Sequence, residues 1–581
     1  MSSESEPQAG AGIETVQIVI DSLLNAGVKH IFGVPGAMID SVFNALVDHP
    51  EIKVVVCRHE QNAAFIAAAV GRLTDRPGVC IATSGPGTSN LCTGLITATD
   101  EGAPMVAIVG SIKRAQAAKR THQSMRSLDL LAPVTKKAIS AVVADQVAEI
   151  MVDAFRTASA FPRGATAVSL PIDVMTAGVQ SSIPAFPPSA FIPPEYGAAP
   201  EESLAQAAEL ITCAKFPVLF LGARAADAPV VDAIHAFLRE YPIPVIETFQ
   251  AAGCISKELV HLFYGRIGLF RNQPGDRLMQ HADLVITVGY DQAEYDANKW
   301  NSANRSAILH LDTARADLGA SYNPKIELLG SLTRNLTALT TILTTTSATV
   351  ARPQDTPAAQ AIYADFHAWQ ASPSAAAPSH QHHTSNSAVH PLYFIQLLQS
   401  LIPENTTVIS DVGSVYIWLS RYFYSYSPKT FLVSNAQQTL GVALPWAIGA
   451  SLCQSPTPCA RKVVSISGDG GFLFSGQELA TAVKHECNIT HFIWNDGTYN
   501  MVAFQEESKY GRSSGVEIGG VDFKAYAEAF GAKGITVTGS AGMKSAMKKA
   551  LGHEGVCVVD LKIDYSGNHA LMEHVVEDSI W

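Results

Sequence analysis

A glycine-rich turn in the last quarter of the chain constrains the fold more than any other feature. Gly468-Asp469-Gly470-Gly471 follows the apolar run at 463–466, and Asp496 follows a second apolar run at 491–494. The interval between the two aspartates can hold a loop, a helix over 476–485 and a return strand, which together make one βαβ crossover. Because such a crossover places both carboxylates at the carboxyl edge of a parallel sheet, the sequence predicts an α/β fold that binds a ligand at this edge.

The residue types at this edge point to an anion bound through a metal ion. Glycines let the backbone approach an anion closely, and carboxylate oxygens suit Mg²⁺, which completes its octahedron with phosphate oxygens and water. We therefore predict a diphosphate held by a divalent cation at Asp469 and Asp496. The alternative is a tight strand-to-helix turn with no ligand, because a single Gly-Asp-Gly sequence is a weak signal.

A second acidic residue lies about 400 positions upstream. Glu60 follows the predicted strand at 54–56 and opens a helix of small, apolar residues over 64–71. A carboxylate in this position is either a charge stabilised by the helix dipole or a catalytic group at the end of a strand. The residues themselves leave both interpretations open.

The composition is that of a large multidomain enzyme. The chain has 581 residues, of which 47% are hydrophobic and 16% charged, and its 42 glycines suit many tight turns between buried strands and helices. A net charge of −12 offers no basic face for nucleic acid, so we expect no nucleic-acid partner.

The cysteines and the N-terminus indicate a reducing compartment. The nine cysteines are scattered and contain no CxxC pair, so we expect free thiols and no disulfides. Residues 1–12 are polar and resemble no targeting peptide, and no apolar stretch reaches the ~18 residues of a membrane span. The sequence thus predicts a cytoplasmic protein that does not interact with membranes.

Apolar runs alternate with helical segments in three blocks, 13–182, 200–345 and 390–581. This alternation predicts three doubly wound parallel sheets, with the first and third blocks as diverged copies of one α/β design. We interpret 346–389 as a linker with a helix over 358–369. Three histidines in it, at 380, 382 and 383, fit a solvated linker better than a metal site, because no predicted element orients them.

Seven sequence runs, spread along nearly the whole chain, resemble those of thiamin diphosphate enzymes. The runs are FGVPG at 32–36, TSGPGTSN at 83–90, THQSM at 121–125, PVTK at 133–136, YGRIGLF at 264–270, NAQQT at 435–439 and YNMVAFQEE at 499–507. The chain is similar to the pyruvate oxidase and acetohydroxyacid synthase group, and within it to the catabolic, flavin-independent acetolactate synthases. The resemblance implies a pyrimidine-binding domain at 13–182, a Rossmann-like central domain at 200–345 and a diphosphate-binding domain at 390–581.

The resemblance also implies roles in cofactor binding. Asp469, Asp496 and the carbonyl of Thr498 would bind Mg²⁺, although asparagine is commoner than aspartate at position 496. Glu60 would hydrogen-bond N1′ of the aminopyrimidine and so activate the cofactor. Leu440 would wedge beneath the cofactor, and the carbonyl of Gln438 would accept from its 4′ amino group. The other residues expected to contact thiamin diphosphate are Pro35, Gly36, Thr83, Asn90, Gln437, Gly468, Gly470, Gly471, Tyr499 and Asn500.

Substrate contacts are expected from four further residues. Gln123 would face the reacting carbonyl, and Met501 and Gln505 would line the acceptor pocket, where biosynthetic relatives carry a tryptophan in place of Gln505. Lys136 is either a substrate contact or an ordinary surface salt-bridge residue.

FAD is expected to be absent, because the region 289–296 lacks the arginine pair of the flavin-binding members. Arg163 and the run Gly222-Ala223-Arg224 nevertheless preserve fragments of a flavin site.

The implied reaction joins two pyruvates into 2-acetolactate and CO₂, a step of acetoin biosynthesis. The family geometry implies active sites between two subunits, and hence a homodimer that pairs into a homotetramer. The alternatives are a thiamin diphosphate-dependent 2-ketoacid decarboxylase, a carboligase with another acceptor, and a regulatory paralogue without catalysis.

Overall fold

The computed structural model describes residues 13–179, 186–271, 273–371, 388–454 and 461–571. The chain divides into two compact units, Met1–Pro194 and Glu195–Trp581. The polar N-terminus at 1–12, Cys459 and the histidine-rich run at 380–383 lie outside the described residues, so the predictions for them stay predictions.

The first unit contains a parallel six-stranded sheet and a two-stranded antiparallel pair. Its strands are β1 (Ile13–Glu14), β2 (His30–Gly33), β3 (Lys53–Val56), β4 (Gly78–Ala82), β5 (Met105–Ser111), β6 (Lys137–Ser140), β7 (Ala165–Pro171) and β8 (Gly178–Val179). The sheet has the order β3-β2-β4-β5-β7-β6, and β1 pairs with β8. Its helices are α1 (Thr15–Asn25), α2 (Asp40–Ala45), α3 (Glu60–Thr74), α4 (Pro86–Asn90), α5 (Cys92–Asp100), α6 (Ser127–Leu131), α7 (Val147–Ser159) and α8 (Ile172–Met175).

The second unit begins with a parallel sheet of different order, β11-β10-β9-β12-β13-β14. Its strands are β9 (Pro217–Leu221), β10 (Val245–Thr248), β11 (Phe263–Ile267), β12 (Leu284–Val288), β13 (Ala307–Asp312) and β14 (Ile326–Leu329). The helices are α9 (Glu201–Cys213), α10 (Ala228–Glu240), α11 (Pro274–Met279), α12 (Ala297–Trp300), α13 (Leu332–Thr345) and α14 (Pro357–Ala371). This order is that of a Rossmann sheet, so the central block has the predicted fold.

A third parallel sheet completes the second unit, with the order β16-β15-β17-β18-β20-β19. Its strands are β15 (Val408–Ser410), β16 (Phe431–Val433), β17 (Val463–Gly468), β18 (Ile489–Asn495), β19 (Lys533–Val537) and β20 (Cys557–Lys562). The helices are α15 (Pro391–Leu401), α16 (Ser414–Tyr422), α17 (Ala443–Leu452), α18 (Asp469–Leu473), α19 (Leu479–Lys484), α20 (Asn500–Tyr510), α21 (Phe523–Ala529), α22 (Met543–Leu551) and α23 (Asn568–Leu571).

Counted from its own first strand, the third sheet repeats the strand order of the first unit's six-stranded sheet. In both, the chain reverses its direction of travel across the sheet after the second strand. The carboxyl edge beside this reversal is where doubly wound sheets bind ligands. The predicted relationship between the first and third blocks therefore has a counterpart in topology.

Strand composition explains why these sheets are covered on both faces. All residues of β7, β9 and β12 are buried, and they are mostly apolar, as expected for parallel strands between two helix layers. Small residues bring the helices close: a Cβ at Gly94 of α5 would lie only 2.4 Å from Ala64 Cβ of α3.

The predicted elements are present, with differences at their ends. The helix predicted over 476–485 is a 3₁₀ turn, Gly476–Glu478, followed by α19, and Asp469 begins a short helix instead of lying in a loop. The predicted helix in the linker is α14. Every cysteine in the described ranges is a free thiol, and no helix there is long and apolar enough to cross a bilayer. The exact block boundaries stay predictions.

Candidate active site

Asp469 and Asp496 lie side by side at the carboxyl edge of the third sheet. They follow β17 and β18, which pair in parallel up to Gly468 and Trp494. Asp469 is only 2% exposed; its Oδ1 accepts from the amide of Gly470 at 2.9 Å, and its Oδ2 accepts from the amide of Gly497 at 2.7 Å. The predicted crossover therefore brings the two carboxylates together.

The electrostatics of this pair favour a bound cation. Burial and the neighbouring Asp496 carboxylate raise the pKa of Asp469 to about 6, and burial also raises the pKa of Asp496. No lysine or arginine of the described ranges forms an ion pair with either residue. Among the described residues, no third histidine, cysteine or acidic side chain joins the two aspartates, so side chains would supply two carboxylate ligands. Two hard carboxylates with room for other ligands suit Mg²⁺ bound to a diphosphate.

Asp496 is held by side chains that follow it in the sequence. Its Oδ2 accepts from Thr498 Oγ1 at 2.9 Å and from Asn500 Nδ2 at 2.7 Å, and its Oδ1 accepts from the Thr498 amide at 3.3 Å. These bonds fix the carboxylate in one orientation.

A cavity of about 240 Å³ opens beside the two carboxylates. A Cβ at Gly468 would meet nothing within 4 Å, so the backbone there borders open space, whereas a Cβ at Gly471 would lie 2.9 Å from Asp411 Oδ1. Twelve of the predicted site residues line the cavity: Gln438, Leu440, Gly468, Asp469, Gly470, Gly471, Asp496, Thr498, Tyr499, Asn500, Met501 and Gln505. Gln437, which was also predicted to contact the cofactor, is not among the lining residues.

The segment carrying Gln438 and Leu440 is fixed by a carboxylate that the sequence analysis missed. Asp411, at the end of β15, is 1% exposed. Its Oδ1 accepts from the amides of Val412 and Gly441, each at 2.9 Å, and its Oδ2 accepts from that of Ala443 at 3.0 Å. Burial raises the pKa of Asp411 to about 6. The sequence does contain a signal for this role. Asp411 follows the mostly apolar run at 408–410 and is followed two positions later by Gly413, much as Asp469 follows an apolar run and precedes a glycine.

Residues after β20 also reach the cavity. Tyr565 lines it, and the buried Asn568 contacts Asn500. No motif in residues 562–571 indicates this role.

Glu60 is buried at the carboxyl edge of the first unit's six-stranded sheet, as the first residue of α3. Its Oε2 accepts from Asn90 Nδ2 at 2.9 Å, and a Cβ at Gly87 would lie 3.3 Å from its Oε1. Two residues predicted from different motifs are thus in direct contact. Asn90 is the last residue of α4.

Four other predicted residues of this unit lie at the same edge: Pro35, Gly36, Thr83 and Gln123. The loop after β2 contains Pro35 and Gly36, and a Cβ at Gly36 would lie 2.6 Å from Thr83 Cβ. Gln123 has a positive φ of 56°, and its carbonyl accepts from Ser84 Oγ at 2.8 Å. The first unit therefore gathers Gly36, Thr83 and Gln123 around the turns that follow β2 and β4.

Lys136 has a different environment from either one considered in the sequence analysis. Its ammonium donates to the carbonyls of Thr157 and, at 2.6 Å, of Ala160, so it caps the C-terminal end of α7. Burial lowers its pKa to about 8. Among the described residues Lys136 forms no salt bridge, and its substrate role stays a prediction.

The residues compatible with a flavin site are engaged by other side chains. Arg163 lies in the first unit and pairs with Asp75 at 2.6 Å. Arg224, in the turn after β9, pairs with Asp312 at 2.8 Å and Asp291 at 2.9 Å. In the same turn the amide of Ala223 donates to both carboxylate oxygens of Glu294 at 3.0 Å.

Comparisons with known proteins agree with this geometry. Three family models match the chain: the N-terminal TPP binding domain of thiamine pyrophosphate enzymes over 13–132, their central domain over 204–339 and their C-terminal TPP binding domain over 411–561.

Individual relatives are similar over nearly their full length. Acetolactate synthase of Bacillus subtilis (strain 168) is 42% identical over 557 residues, covering 95% of this chain and 93% of the relative. The catabolic acetolactate synthase of Raoultella terrigena is 41% identical over 555 residues, covering 96% of each. The large subunit of acetolactate synthase isozyme 1 of Escherichia coli (strain K12) is 27% identical over 557 residues. With its two carboxylates beside a cavity and its relatives aligned over nearly their full length, the chain belongs to the thiamin diphosphate-dependent acetolactate synthase family.

Proposed function

We propose that this protein is a carboligase that decarboxylates one pyruvate and joins the hydroxyethyl group to a second, giving 2-acetolactate and CO₂. The observation that carries the proposal is the cavity in which Asp469 and Asp496 meet Gln438, Leu440 and Gln505. The relatives named acetolactate synthase support the same reaction.

Asp469, Asp496 and the Thr498 carbonyl would hold Mg²⁺ and, through it, the diphosphate. When bound, thiamin diphosphate supplies a carbon nucleophile for the ketone and a ring that accepts the electrons of decarboxylation. Leu440 would support the ring from below, and the Gln438 carbonyl would orient its amino group.

Glu60 would hold a proton at N1′ of the pyrimidine. The Asn90 amide donates to one of its oxygens, which orients the carboxyl group and leaves the other oxygen, beside Gly87, for the cofactor. Gln123 would face the substrate carbonyl.

The acceptor pyruvate would bind near Met501 and Gln505 on α20. An amide suits a small carboxylate better than it suits an added methyl group. The mostly apolar lining, including Val415, Ile417 and Trp494, would restrain water, because protonation at the reacting carbon would divert the reaction to acetaldehyde.

FAD is not required in this proposal. Support comes from the turn after β9, where a bound dinucleotide's phosphates would approach the backbone. Glu294 already accepts from the amide of that turn, and Arg224 is paired with two carboxylates. We also propose a homodimer or homotetramer, since the family's active sites lie between subunits.

The test is turnover of pyruvate by purified protein with thiamin diphosphate and Mg²⁺ but no FAD. We expect one acetolactate per CO₂ released, and loss of cofactor affinity in Asp469→Ala. Acetaldehyde as the main product would identify a decarboxylase instead, and an absence of CO₂ would identify a non-catalytic paralogue. A requirement for added FAD would refute the flavin-independent assignment.

A further inference from the structure

We propose that Asn568 is a positioning residue for the metal site, orienting Asp496 through Asn500. This inference rests on the proposed function, because it takes Asp496 as a ligand of Mg²⁺. Asn568 begins α23, beyond the end of the matched family model at 561. Its side chain does not line the cavity, and it would act through two intervening hydrogen bonds.

The orientation of the Asn568 amide is set by Trp418. The indole Nε1 of Trp418 donates to Asn568 Oδ1 at 2.9 Å. An indole N–H can only donate, so the oxygen of the amide must face Trp418 and its NH₂ group must face away. Both residues are buried, at 1% and 2% exposure, so water does not compete for these groups.

The NH₂ group of Asn568 in turn sets the orientation of Asn500. Asn568 Nδ2 donates to Asn500 Oδ1 at 2.8 Å and to Ser414 Oγ at 3.1 Å, and Ser414 Oγ donates to the same Asn500 oxygen at 2.6 Å. Because two groups donate to Oδ1, the Asn500 amide cannot be flipped. A flip would point the NH₂ group of Asn500 at the NH₂ group of Asn568, and two donors cannot bond to each other. Nδ2 of Asn500 therefore faces Asp496 Oδ2 at 2.7 Å.

The result is a directional chain of hydrogen bonds, from Trp418 through Asn568 and Asn500 to Asp496. Each step presents a donor to the next acceptor, and the last acceptor is a carboxylate of the candidate metal site. Side chains that hold metal ligands from outside the coordination sphere tune metal affinity strongly. A purely structural role, in which Asn568 only anchors α23, predicts a loss of stability without a specific effect on the metal.

The experiment is titration of Mg²⁺ into the full-length protein at saturating thiamin diphosphate, followed by calorimetry and by the rise in melting temperature on cofactor binding. For Asn568→Ala we expect roughly 10–100-fold weaker Mg²⁺ binding. Trp418→Phe and Ser414→Ala should also weaken Mg²⁺ binding, but by a smaller factor. Each removes only part of the hydrogen bonding that orients the Asn568 and Asn500 amides. At saturating Mg²⁺ the turnover of pyruvate by Asn568→Ala should approach that of the parent.

Asn335→Ala provides the matched control. Asn335 is fully buried in the same unit, donates to the Leu328 carbonyl at 3.0 Å and accepts from the Ala199 amide at 2.7 Å. It should lower the melting temperature without changing Mg²⁺ affinity. Parent-like Mg²⁺ affinity in folded Asn568→Ala would overturn the proposal. If that variant does not fold, parent-like affinity in Trp418→Phe would overturn it instead. Failure of the parent protein to bind Mg²⁺ with thiamin diphosphate would refute the proposed function, not this inference alone.

Discussion

At the residue scale, the contact between Glu60 and Asn90 shows how one unit holds the carboxyl group that we propose to be catalytic. Glu60 is buried at the start of α3, where the helix dipole favours negative charge, and Asn90 Nδ2 donates to it at 2.9 Å. The carboxyl group is thereby fixed in position but keeps one oxygen beside Gly87. Its surroundings suit a group that must exchange a proton with a neighbouring ring.

Glu60→Gln should retain the fold and cofactor affinity but lose turnover by roughly 10²–10⁴-fold, because an amide cannot exchange that proton. Steady-state rates and calorimetric affinity for thiamin diphosphate would measure both properties. Glu51→Gln, at an exposed position of the same unit, is the control. Near-parental turnover in Glu60→Gln would contradict the role that we propose for Glu60.

Gln505→Trp should shift the choice of acceptor from pyruvate towards 2-ketobutyrate, since apolar contact would replace an amide at the cavity wall. One methylene limits the gain in discrimination to about 1–3 kcal/mol. Competition assays with both ketoacids measure the product ratio. Lys509→Trp adds the same ring to α20 outside the cavity lining and should leave the ratio unchanged. The same ratio in both variants would mean that Gln505 does not face the acceptor.

At the scale of elements, the residues at the ends of the strands do more to position the candidate site than the residues within the strands. Asp411 lies at the end of β15 and holds the amides of Gly441, just after Leu440, and of Ala443, the first residue of α17. A Cβ at Gly441, whose φ is +85°, would lie 2.5 Å from Phe474 Cβ, so this turn also packs against α18. The segment beneath the cavity is thus positioned by β15 and α18 together.

Asp411→Asn should destabilise the protein by about 1–3 kcal/mol, because the amide nitrogen would leave a buried backbone N–H without an acceptor. It should also weaken binding of thiamin diphosphate, since the turn carries Gln438 and Leu440. Urea unfolding and calorimetry would measure the two effects. Asp145→Asn, on the surface of the first unit, is the control. Unchanged unfolding of Asp411→Asn would show that these three bonds contribute little.

At the scale of the whole molecule, buried charges connect the two sheets of the second unit. The ion pair Glu247–Arg266 is almost fully buried, and Arg266 also donates to the carbonyls of Ser420 and Phe423 at the end of α16. Burial raises the pKa of both Glu247 and Glu294 to about 7. The central block therefore contains two buried carboxyl groups whose pKa is raised towards neutral pH.

These groups make stability depend on pH. Because the pKa of Glu294 is raised in the fold, its contribution to stability is complete below its ordinary pKa and is lost as the pH rises through about 7. In Glu294→Gln the free energy of unfolding should fall less steeply with rising pH, by up to about 1.4 kcal/mol per pH unit. Urea unfolding between pH 5 and about 8 would measure the slope. An identical slope in the variant would show that Glu294 does not titrate there.

Local sequence patterns were sufficient to predict the strands and helices and to find the motifs. Apolar runs of strand length predicted the parallel strands, and the Gly-Asp-Gly turn with Asp496 predicted a pair of acids at one sheet edge. Helix ends were less accurate, as in α18 and α19, because capping and packing against neighbours decide where a helix stops. The resemblance supplied the cofactor roles, which neither spacing nor composition could.

The sequence by itself determined the fold class and the acidic pair, because both depend on periodicity and on residues close together in the chain. Only the tertiary structure decided which distant residues support the site. Asp411 reaches amides some thirty positions away, and Asn568 reaches Asn500 from beyond the last strand. The tertiary structure also decided that the Lys136 ammonium caps the C-terminal end of α7 and that Glu294 accepts from the Ala223 amide in the turn after β9. Such contacts depend on the direction of a side chain and on burial at a shared edge, which arise only when the strands are assembled into sheets.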